Sequence, residues 1–264
     1  MVKDYHMHPT VLQDRSRFQA FARKAMEEGI EEICITDHMP LSVSRAGDRI
    51  PAGRVEEYCS AVRSLAKEYE GKLSVRLGIE IDYHPKFKDE IEAVLKAGEY
   101  DFVIGATHLH VVQNEIFKSP CTYNEFAEAA LENSMQAAWS GYFDAIAHLD
   151  FFRWVYTQPH RFPLVAEEYS YERHIPAIEK VLDAIRDQGM YLEINPHQSV
   201  LQNNFASMYP EKGIMKMALE KGLRFSYGSD AHEPEHVGGR LKELRAHPVY
   251  GRGIASWEKC EKNF

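Results

Sequence analysis

The sequence lacks the features of disulfide-rich, membrane-spanning and exported proteins. Its four cysteines, Cys34, Cys59, Cys121 and Cys260, are scattered without CxxC spacing, which predicts neither a disulfide framework nor a zinc ribbon. No uninterrupted apolar run approaches the roughly 18 residues that a membrane span needs. The first residues contain neither the basic segment nor the apolar segment of a signal peptide. We therefore expect a cytoplasmic protein without membrane association.

Positive charge is also scarce. Lysine and arginine number 31 against 40 aspartates and glutamates, which gives a formal net charge of −9 at pH 7. A general nucleic-acid or membrane surface requires a basic face, so we expect no nucleic-acid partner, although bound divalent cations would reverse the sign locally. The 44% of hydrophobic residues are enough for a sizeable globular core. The sequence leaves the oligomeric state open.

Short apolar stretches alternate with helical patterns along the chain. We predict strands at residues 2–6, 32–35, 73–81, 101–106, 143–147, 190–194 and 224–227. Amphipathic spacing and helix-boundary residues predict helices at 18–29, 55–70, 85–97, 123–140, 176–188 and 212–221, with a short helix after Gly238. The alternation of the two element types predicts parallel strands that are buried on both faces.

The simplest architecture for this pattern is an α/β fold, a distorted seven-stranded (β/α)7 TIM-like barrel. No linker rich in Pro, Gly or Ser divides the chain, so we expect residues 1–264 to form a single domain. A doubly wound sheet would require a glycine-rich phosphate loop after the first strand, and the sequence has none there.

Residues that bind metal ions follow the predicted strands. His6 and His8 stand two apart at the end of the first strand, so both side chains point to the same side. Further candidates stand at the ends of later strands: His38, Glu80, His108, His148, Asp230 and His232. The carboxyl ends of barrel strands meet at one mouth, and histidine nitrogens and carboxylate oxygens hold divalent transition metals. The set exceeds the needs of one ion and suits two or three, with Glu80 or Asp230 able to bridge.

Four motifs resemble those of the polymerase and histidinol phosphatase (PHP) superfamily. They are Asp-Tyr-His-Met-His at 4–8, Thr-Asp-His at 36–38, Gly-Ile-Glu-Ile-Asp-Tyr around Glu80, and Gly-Ser-Asp-Ala-His at 228–232. The motifs follow one another in the order of the superfamily, and the resemblance extends over nearly the whole chain. His38 and the Met-Pro-Leu-Ser that follows it resemble the histidinol-phosphate phosphatase branch in particular.

The resemblance implies a trinuclear site for Zn, Mn or Fe ions. The implied ligands are, for the first ion, His6, His8, Glu80 and Asp230; for the second, Glu80, His108 and His148; and for the third, His38, His232 and a residue of the loop after the first strand. Many members carry a histidine at that last position, and this chain carries Asp14. The alternative role of Asp14 is to cap the helix that follows it.

The activity implied by the resemblance is hydrolysis of a phosphate monoester, with L-histidinol phosphate converted to L-histidinol and phosphate in histidine biosynthesis. Divalent ions lower the pKa of water and stabilise charge on phosphoryl oxygens, so no nucleophilic side chain is required. In agreement, the sequence has no Gly-x-Ser-x-Gly elbow. The alternatives are a PHP phosphoesterase for a nucleotide or a phosphodiester, and a nucleic-acid-processing or non-catalytic PHP module.

Five residues are predicted to act on the substrate. Glu80 and Asp230 are the predicted catalytic carboxylates of the metal site. His197 follows the sixth strand, where it would protonate the leaving oxygen or contact the substrate. Arg153, just after the fifth strand, is a candidate donor to phosphate, and His110 is a candidate substrate contact after the fourth strand. For Arg153, His110 and His197 the alternative is a position without a functional role.

Overall fold

The computed structural model of the protein describes residues 1–9, 14–39, 50, 53–108, 121–156, 165 and 170–259. Within these residues, seven parallel strands form one sheet in chain order. The strands are β1 (Lys3–Asp4), β2 (Glu32–Ile35), β3 (Ser74–Asp82), β4 (Phe102–Ala106), β5 (Ala145–Ile146), β6 (Tyr191–Ile194) and β7 (Arg224–Tyr227). The predicted strands are therefore confirmed, with bounds that differ by at most two residues.

The chain segments after the first and last strands meet, which closes the barrel. The backbone N–H of Tyr5 donates to the carbonyl of Tyr227 at 2.9 Å, and that of Asp230 donates to the carbonyl of His6 at 2.7 Å. The predicted TIM-like barrel is confirmed. Closure also places the first and last of the metal-binding motifs side by side, although more than 200 residues separate them in the sequence.

Helices cover the outside of the barrel. They are α1 (Arg15–Glu27), α2 (Val55–Glu68), α3 (Lys88–Ala97), α4 (Tyr123–Trp139), α5 (Phe152–Tyr156), α6 (Tyr171–Asp187), α7 (His197–Leu201), α8 (Lys212–Glu220), α9 (Leu241–Ala246) and α10 (Tyr250–Glu258). Single 3₁₀ turns lie at Pro85–Phe87, Phe205–Ser207 and Pro234–His236. Each long helix buries one apolar stripe, such as Phe18, Phe21 and Ala25 of α1. None of the described helices combines the length and the apolar character needed to cross a membrane.

Four helices differ most from the prediction. Helix α6 begins at Tyr171, five residues before the predicted start near Pro176, and Ser170 caps it. A proline beyond the first turn normally breaks a helix because it lacks an N–H group. Here the buried face that includes Ile178 and Val181 outweighs that penalty, since tertiary packing supplies most helical stability. Helices α5, α7 and α10 had no predicted counterpart.

Helix α10 seals the amino-terminal end of the barrel with Trp257, which is 1% exposed. The Trp257 ring lies 4.9 Å from the ring of Tyr5 and 5.3 Å from that of Tyr191, both edge-on. The Lys3 ammonium lies 4.9 Å from the Trp257 ring centroid, within the range of a cation–π contact. This end of the barrel is therefore packed with side chains, and the strand-end residues predicted to bind metal lie at the opposite, carboxyl-terminal end.

Candidate metal centre

Eight side chains from six strands converge at the carboxyl-terminal mouth of the barrel. They are the residues predicted as ligands at strand ends: His6, His8, His38, Glu80, His108, His148, Asp230 and His232. Six of them are buried, and His108 and His232 are partly exposed. Their ligand atoms form overlapping groups in which all atoms lie within 4.8 Å of one another. The structure thus brings together every predicted ligand except Asp14.

Glu80 occupies the middle of the cluster, and its two oxygens face different histidines. The Oε2 atom faces three imidazole nitrogens: His38 Nδ1 at 2.5 Å, His6 Nε2 at 3.5 Å and His8 Nε2 at 3.5 Å. The Oε1 atom faces two others: His148 Nε2 at 3.1 Å and His108 Nε2 at 3.7 Å. A carboxylate with its oxygens divided in this way has the arrangement of a bridge between two ions.

Four ligand atoms surround one position with the spacing of a coordination shell. Two ligands that bind one ion at about 2.1 Å with a tetrahedral angle lie about 3.4 Å apart. Nε2 of His6 lies 3.5 Å from Glu80 Oε2 and 3.7 Å from Asp230 Oδ1. Nε2 of His8 lies 3.5 Å and 3.2 Å from the same two oxygens. These distances fit a single transition-metal ion at the centre of the four residues.

Hydrogen bonds fix which ring nitrogen of three histidines is available to a metal. Nδ1 of His6 lies 2.5 Å from a carboxylate oxygen of Glu193, and Nδ1 of His108 lies 2.7 Å from Asp82 Oδ1. Nδ1 of His232 lies 3.0 Å from the backbone carbonyl of Asp230. A carbonyl or an ionised carboxylate only accepts, so in each ring Nδ1 carries a proton and Nε2 is the nitrogen that can bind an ion.

The electrostatics of the cluster favour ionised carboxylates. Burial raises the pKa of Glu80, but the imidazoles of His38 and His6 outweigh this effect and hold the pKa well below its usual range. Burial and the nearby imidazoles oppose each other in the same way at Asp230, whose pKa is also held well below its usual range. Burial, with His38 adding to it, holds the pKa of His8 well below the usual histidine value. Anionic carboxylates and a neutral imidazole are the states that bind metal ions.

Buried polar atoms without hydrogen-bond partners indicate that the residues fit a metal. Within the described residues, Nε2 of His6 and Oε2 of Glu80 are buried and make no hydrogen bond, since the 2.5 Å contact of Oε2 with His38 lacks hydrogen-bond geometry. An unsatisfied buried polar group costs about 1–3 kcal/mol, and one divalent ion would satisfy both atoms. The nitrogen and oxygen donors are those that Zn, Mn and Fe accept.

Two ligands are held in an unusual backbone conformation. His148 has a φ of 25° and Asp230 a φ of 53°, in the left-handed region that costs a residue other than glycine roughly 1–3 kcal/mol. The backbone N–H of His148 donates to Glu193 Oε2 at 2.8 Å, and that of Asp230 donates to the carbonyl of His6 at 2.7 Å. These bonds aim both side chains at the middle of the barrel mouth.

Asp14 lies outside the ligand groups that the described residues form. It is exposed and caps α1, where its Oδ1 accepts from the N–H of Ser16 at 3.0 Å. The structure thus shows the alternative role considered from the sequence, and ligation of a third ion by Asp14 stays a prediction. His110 lies outside the described residues, so its role stays a prediction.

Arg153 lies near the cluster with its guanidinium committed to protein groups. Nε donates to Asp150 Oδ2 at 2.5 Å, and the terminal nitrogens donate to the carbonyls of Ala206, at 3.4 Å, and of Met208. The guanidinium also lies 5.1 Å from the ring centroid of Tyr209. Arg153 therefore ties α5 to the segment before α8, and the contact with phosphate that the sequence suggested stays a prediction.

His197, in contrast, belongs to the cluster. One of its ring nitrogens lies within 4.8 Å of ligand atoms of Asp230 and His232. The rings of His197 and His232 have their centroids 5.1 Å apart. Burial lowers the pKa of His197, which favours a neutral imidazole.

Sequence reasoning missed two carboxylates that support the ligands. Glu193 holds His6 and His148 through the contacts described above, and Asp82 Oδ1 accepts from the backbone N–H of His108 at 3.1 Å as well as contacting its ring. Both carboxylates are buried at 2% exposure or less. The sequence contained a signal, since an acidic residue inside an otherwise apolar buried strand needs a partner.

Comparisons with known proteins relate the chain to one family. The PHP domain family matches residues 4–197. A probable histidinol-phosphatase of Deinococcus radiodurans is 32% identical over 265 residues, which cover 95% of each chain. The histidinol-phosphatase of Bacillus subtilis is 28% identical over 259 residues, which cover 89% of this chain and 95% of that protein. The crystal structure of histidinol phosphate phosphatase from Lactococcus lactis, complexed with zinc, L-histidinol and phosphate, has a TM-score of 0.71 at 20% identity, with 96% of this chain and 93% of that chain covered.

Proposed function

Since the chain belongs to the PHP family, we propose that it is a metal-dependent phosphomonoesterase that hydrolyses L-histidinol phosphate to L-histidinol and phosphate in histidine biosynthesis. The relatives that carry the name histidinol-phosphatase match the chain over nearly its whole length. The observation that carries the proposal is the buried cluster around Glu80, which has the donor types, spacing and ionisation of a multinuclear metal site.

The cluster divides into positions for two or three ions of Zn, Mn or Fe. In this proposal Glu80, His6, His8 and Asp230 hold the first ion, and Glu80 bridges to a second ion held by His108 and His148. The rings of His38 and His232 lie next to that of His8, with centroids 4.2 Å and 4.5 Å from it, and ligand atoms of the three residues lie within 4.8 Å of one another, where a third ion would bind. Bound ions would supply Lewis acidity toward water and toward the phosphoryl oxygens.

The protein's own residues fix the charge and the shape of the site. Two divalent ions with the anionic Glu80 and Asp230 leave a net charge of about +2, which a phosphate monoester dianion would neutralise. Phe151 lies beside the ions' ligands, with its ring centroid 5.0 Å from that of His148 and 5.4 Å from that of His108. Its partly exposed ring offers an aromatic wall for the organic part of a small substrate.

Two other functions stay alternatives. A phosphoesterase for a nucleotide or a phosphodiester would use the same ions, because one fold supports several substrates. A nucleic-acid-processing or non-catalytic module is disfavoured by the net charge of −9 and by the nearly complete ligand set. We also propose that residues 1–264 act as one domain, that the protein is cytoplasmic and that it requires no nucleic acid.

The test is phosphate release from a panel of substrates by enzyme loaded separately with Zn, Mn or Fe(II). The panel contains histidinol phosphate, nucleoside monophosphates, phosphodiesters and a short oligonucleotide. We expect kcat/KM for histidinol phosphate to exceed the others by at least ~100-fold, or ~2.7 kcal/mol of transition-state discrimination. Comparable weak rates across the panel would refute the substrate assignment, and no release with any metal would favour the non-catalytic module. Glu80→Gln, which removes the bridge, should be inactive throughout.

A further inference from the structure

We propose that His197, with His232 and Asp230, holds a metal ion at the barrel mouth, in the role that the sequence suggested for Asp14. The ligand atoms of these three residues lie within 4.8 Å of one another, so small side-chain rotations bring them onto one ion. The inference rests on the proposed function only in requiring that the centre bind divalent ions. It replaces the leaving-group role predicted for His197 from the sequence.

His232 is prepared to bind an ion through Nε2. Its Nδ1 donates to the backbone carbonyl of Asp230 at 3.0 Å, which leaves the lone pair on Nε2. Nδ1 also lies 3.5 Å from Asp230 Oδ1, so the imidazole and the carboxylate are held next to each other. Both groups therefore have a fixed orientation before an ion binds.

One amide side chain sets the position of His197 relative to Asp230. The Oδ1 atom of Asn195 accepts from the backbone N–H of His197 at 2.9 Å. The Nδ2 atom of the same amide donates to Asp230 Oδ2 at 3.1 Å and to Glu193 Oε2 at 3.0 Å. These bonds hold the backbone of His197 beside the Asp230 carboxylate. A partly buried imidazole next to a carboxylate and a second imidazole is suited to a metal ion.

Asp14 has a different task. Its Oδ1 accepts from the N–H and the hydroxyl of Ser16 at the start of α1, and loss of such a cap typically costs about 1 kcal/mol. Replacing a carboxylate by an imidazole also changes metal preference, because imidazole suits Zn and Fe whereas carboxylate oxygens suit Mn. We therefore expect the ion at His197 to be bound more tightly as Zn or Fe(II) than as Mn.

The experiment measures metal content, which does not depend on substrate. Wild-type protein and variants are loaded with excess Zn and desalted, and the number of Zn ions per chain is measured by inductively coupled plasma mass spectrometry. We expect His197→Gln and His197→Asn each to lose about one ion relative to wild type. Asp14→Asn should lose no ion. The control is His84→Asn, which removes an imidazole outside the cluster and keeps a side chain that can cap the 3₁₀ turn, and it should also lose no ion. His197→Gln combined with His232→Gln should lose no more than either single variant.

A second readout is the visible absorption of protein loaded with Co(II). Loss of an imidazole ligand should change this spectrum in His197→Gln and leave it unchanged in Asp14→Asn. Wild-type metal content in folded His197→Gln and His197→Asn, or loss of an ion from Asp14→Asn, would overturn the inference while leaving the proposed function intact. A wild-type chain that retained no ions would overturn both.

Discussion

Glu193→Gln tests whether a carboxylate that touches no metal controls the affinity of the centre. One oxygen of Glu193 faces Nδ1 of His6 at 2.5 Å. The other accepts from the backbone N–H of His148 at 2.8 Å and from the amide of Asn195 at 3.0 Å. Glutamine has nearly the same shape, but one of its two terminal atoms is a donor. The substitution therefore changes hydrogen-bond polarity while it preserves packing.

The cost depends on which way the new amide turns. If its NH₂ group faced His148 and Asn195, two buried donors would lose their acceptor at about 1–3 kcal/mol each. If it faced His6, Nδ1 of His6 would become the acceptor and the ring proton would move to Nε2, with every hydrogen bond retained. The second orientation is cheaper in the metal-free protein. It places a proton on the nitrogen that must bind the ion, so affinity rather than stability should suffer.

We expect Zn affinity to fall by roughly 10–100-fold, the usual effect of removing a residue that hydrogen-bonds to a metal ligand. This change corresponds to about 1.4–2.7 kcal/mol of binding free energy. The free energy of unfolding of the metal-free protein should change by less than about 1 kcal/mol. Competition with a chromophoric chelator measures the first quantity, and urea unfolding measures the second. Unchanged Zn affinity, with or without a loss of stability, would refute the tautomer argument.

Glu32→Gln is the matched control, because Glu32 is also buried but lies at the opposite end of the barrel. Its carboxylate accepts from the hydroxyl of Tyr5 at 2.5 Å and from Arg76 Nε at 2.9 Å. It also accepts from the hydroxyl of Ser74 at 2.8 Å. Glutamine carries no charge, so the ion pair with Arg76 is lost, even though the hydroxyls of Tyr5 and Ser74 can accept from the new NH₂ group. We expect this variant to lose about 1–3 kcal/mol of stability and to keep wild-type Zn affinity.

Three further predictions concern the frame of the site. In Gly228→Ala the added Cβ would clash with His6 Cβ and with the Glu193 carboxylate, so chelator competition should show weaker Zn binding. Trp257→Ala should lower the free energy of unfolding by about 3–5 kcal/mol, the usual cost of truncating a buried aromatic, and urea unfolding should show this with Zn affinity unchanged. Zn affinity should fall as the pH is lowered from about 8 to 6, because protons compete with ions for imidazole nitrogens. The same chelator competition measures this, and a pH-independent affinity would mean that histidines are not the ligands.

The strands and the residues at their ends were predictable because both follow from short runs of apolar residues in the sequence. An apolar run of four or five residues specifies a buried strand, and parallel strands in a barrel necessarily bring their carboxyl ends to one mouth. Glu80 and His148 could therefore be placed in one site without knowledge of any contact. The conformations of His148 and Asp230, with positive φ, could not be predicted in the same way, because hydrogen bonds from distant strands impose them.

The loop residues were also less predictable, because contacts with distant parts of the chain determine their positions. Asp14 was proposed as a ligand from the resemblance, because it stands where many members of the superfamily carry a histidine. A carboxylate just before a helix has a strong local alternative as the helix cap, and the structure shows that cap. No sequence pattern indicated where His197 lies, because its position depends on the amide of Asn195 and on the turn into α7. Residues positioned by tertiary hydrogen bonds require the fold before their role can be inferred.

Two buried carboxylates at opposite ends of the barrel have different surroundings. At the amino-terminal end, the carboxylate of Glu32 accepts hydrogen bonds from Tyr5 and Arg76. At the carboxyl-terminal end, Nε2 of His6 and Oε2 of Glu80 make no hydrogen bond with the described residues. Any group that satisfies these atoms stabilises the folded chain by its own binding free energy. A metal ion that bound at the carboxyl-terminal mouth would therefore stabilise the folded chain through these atoms.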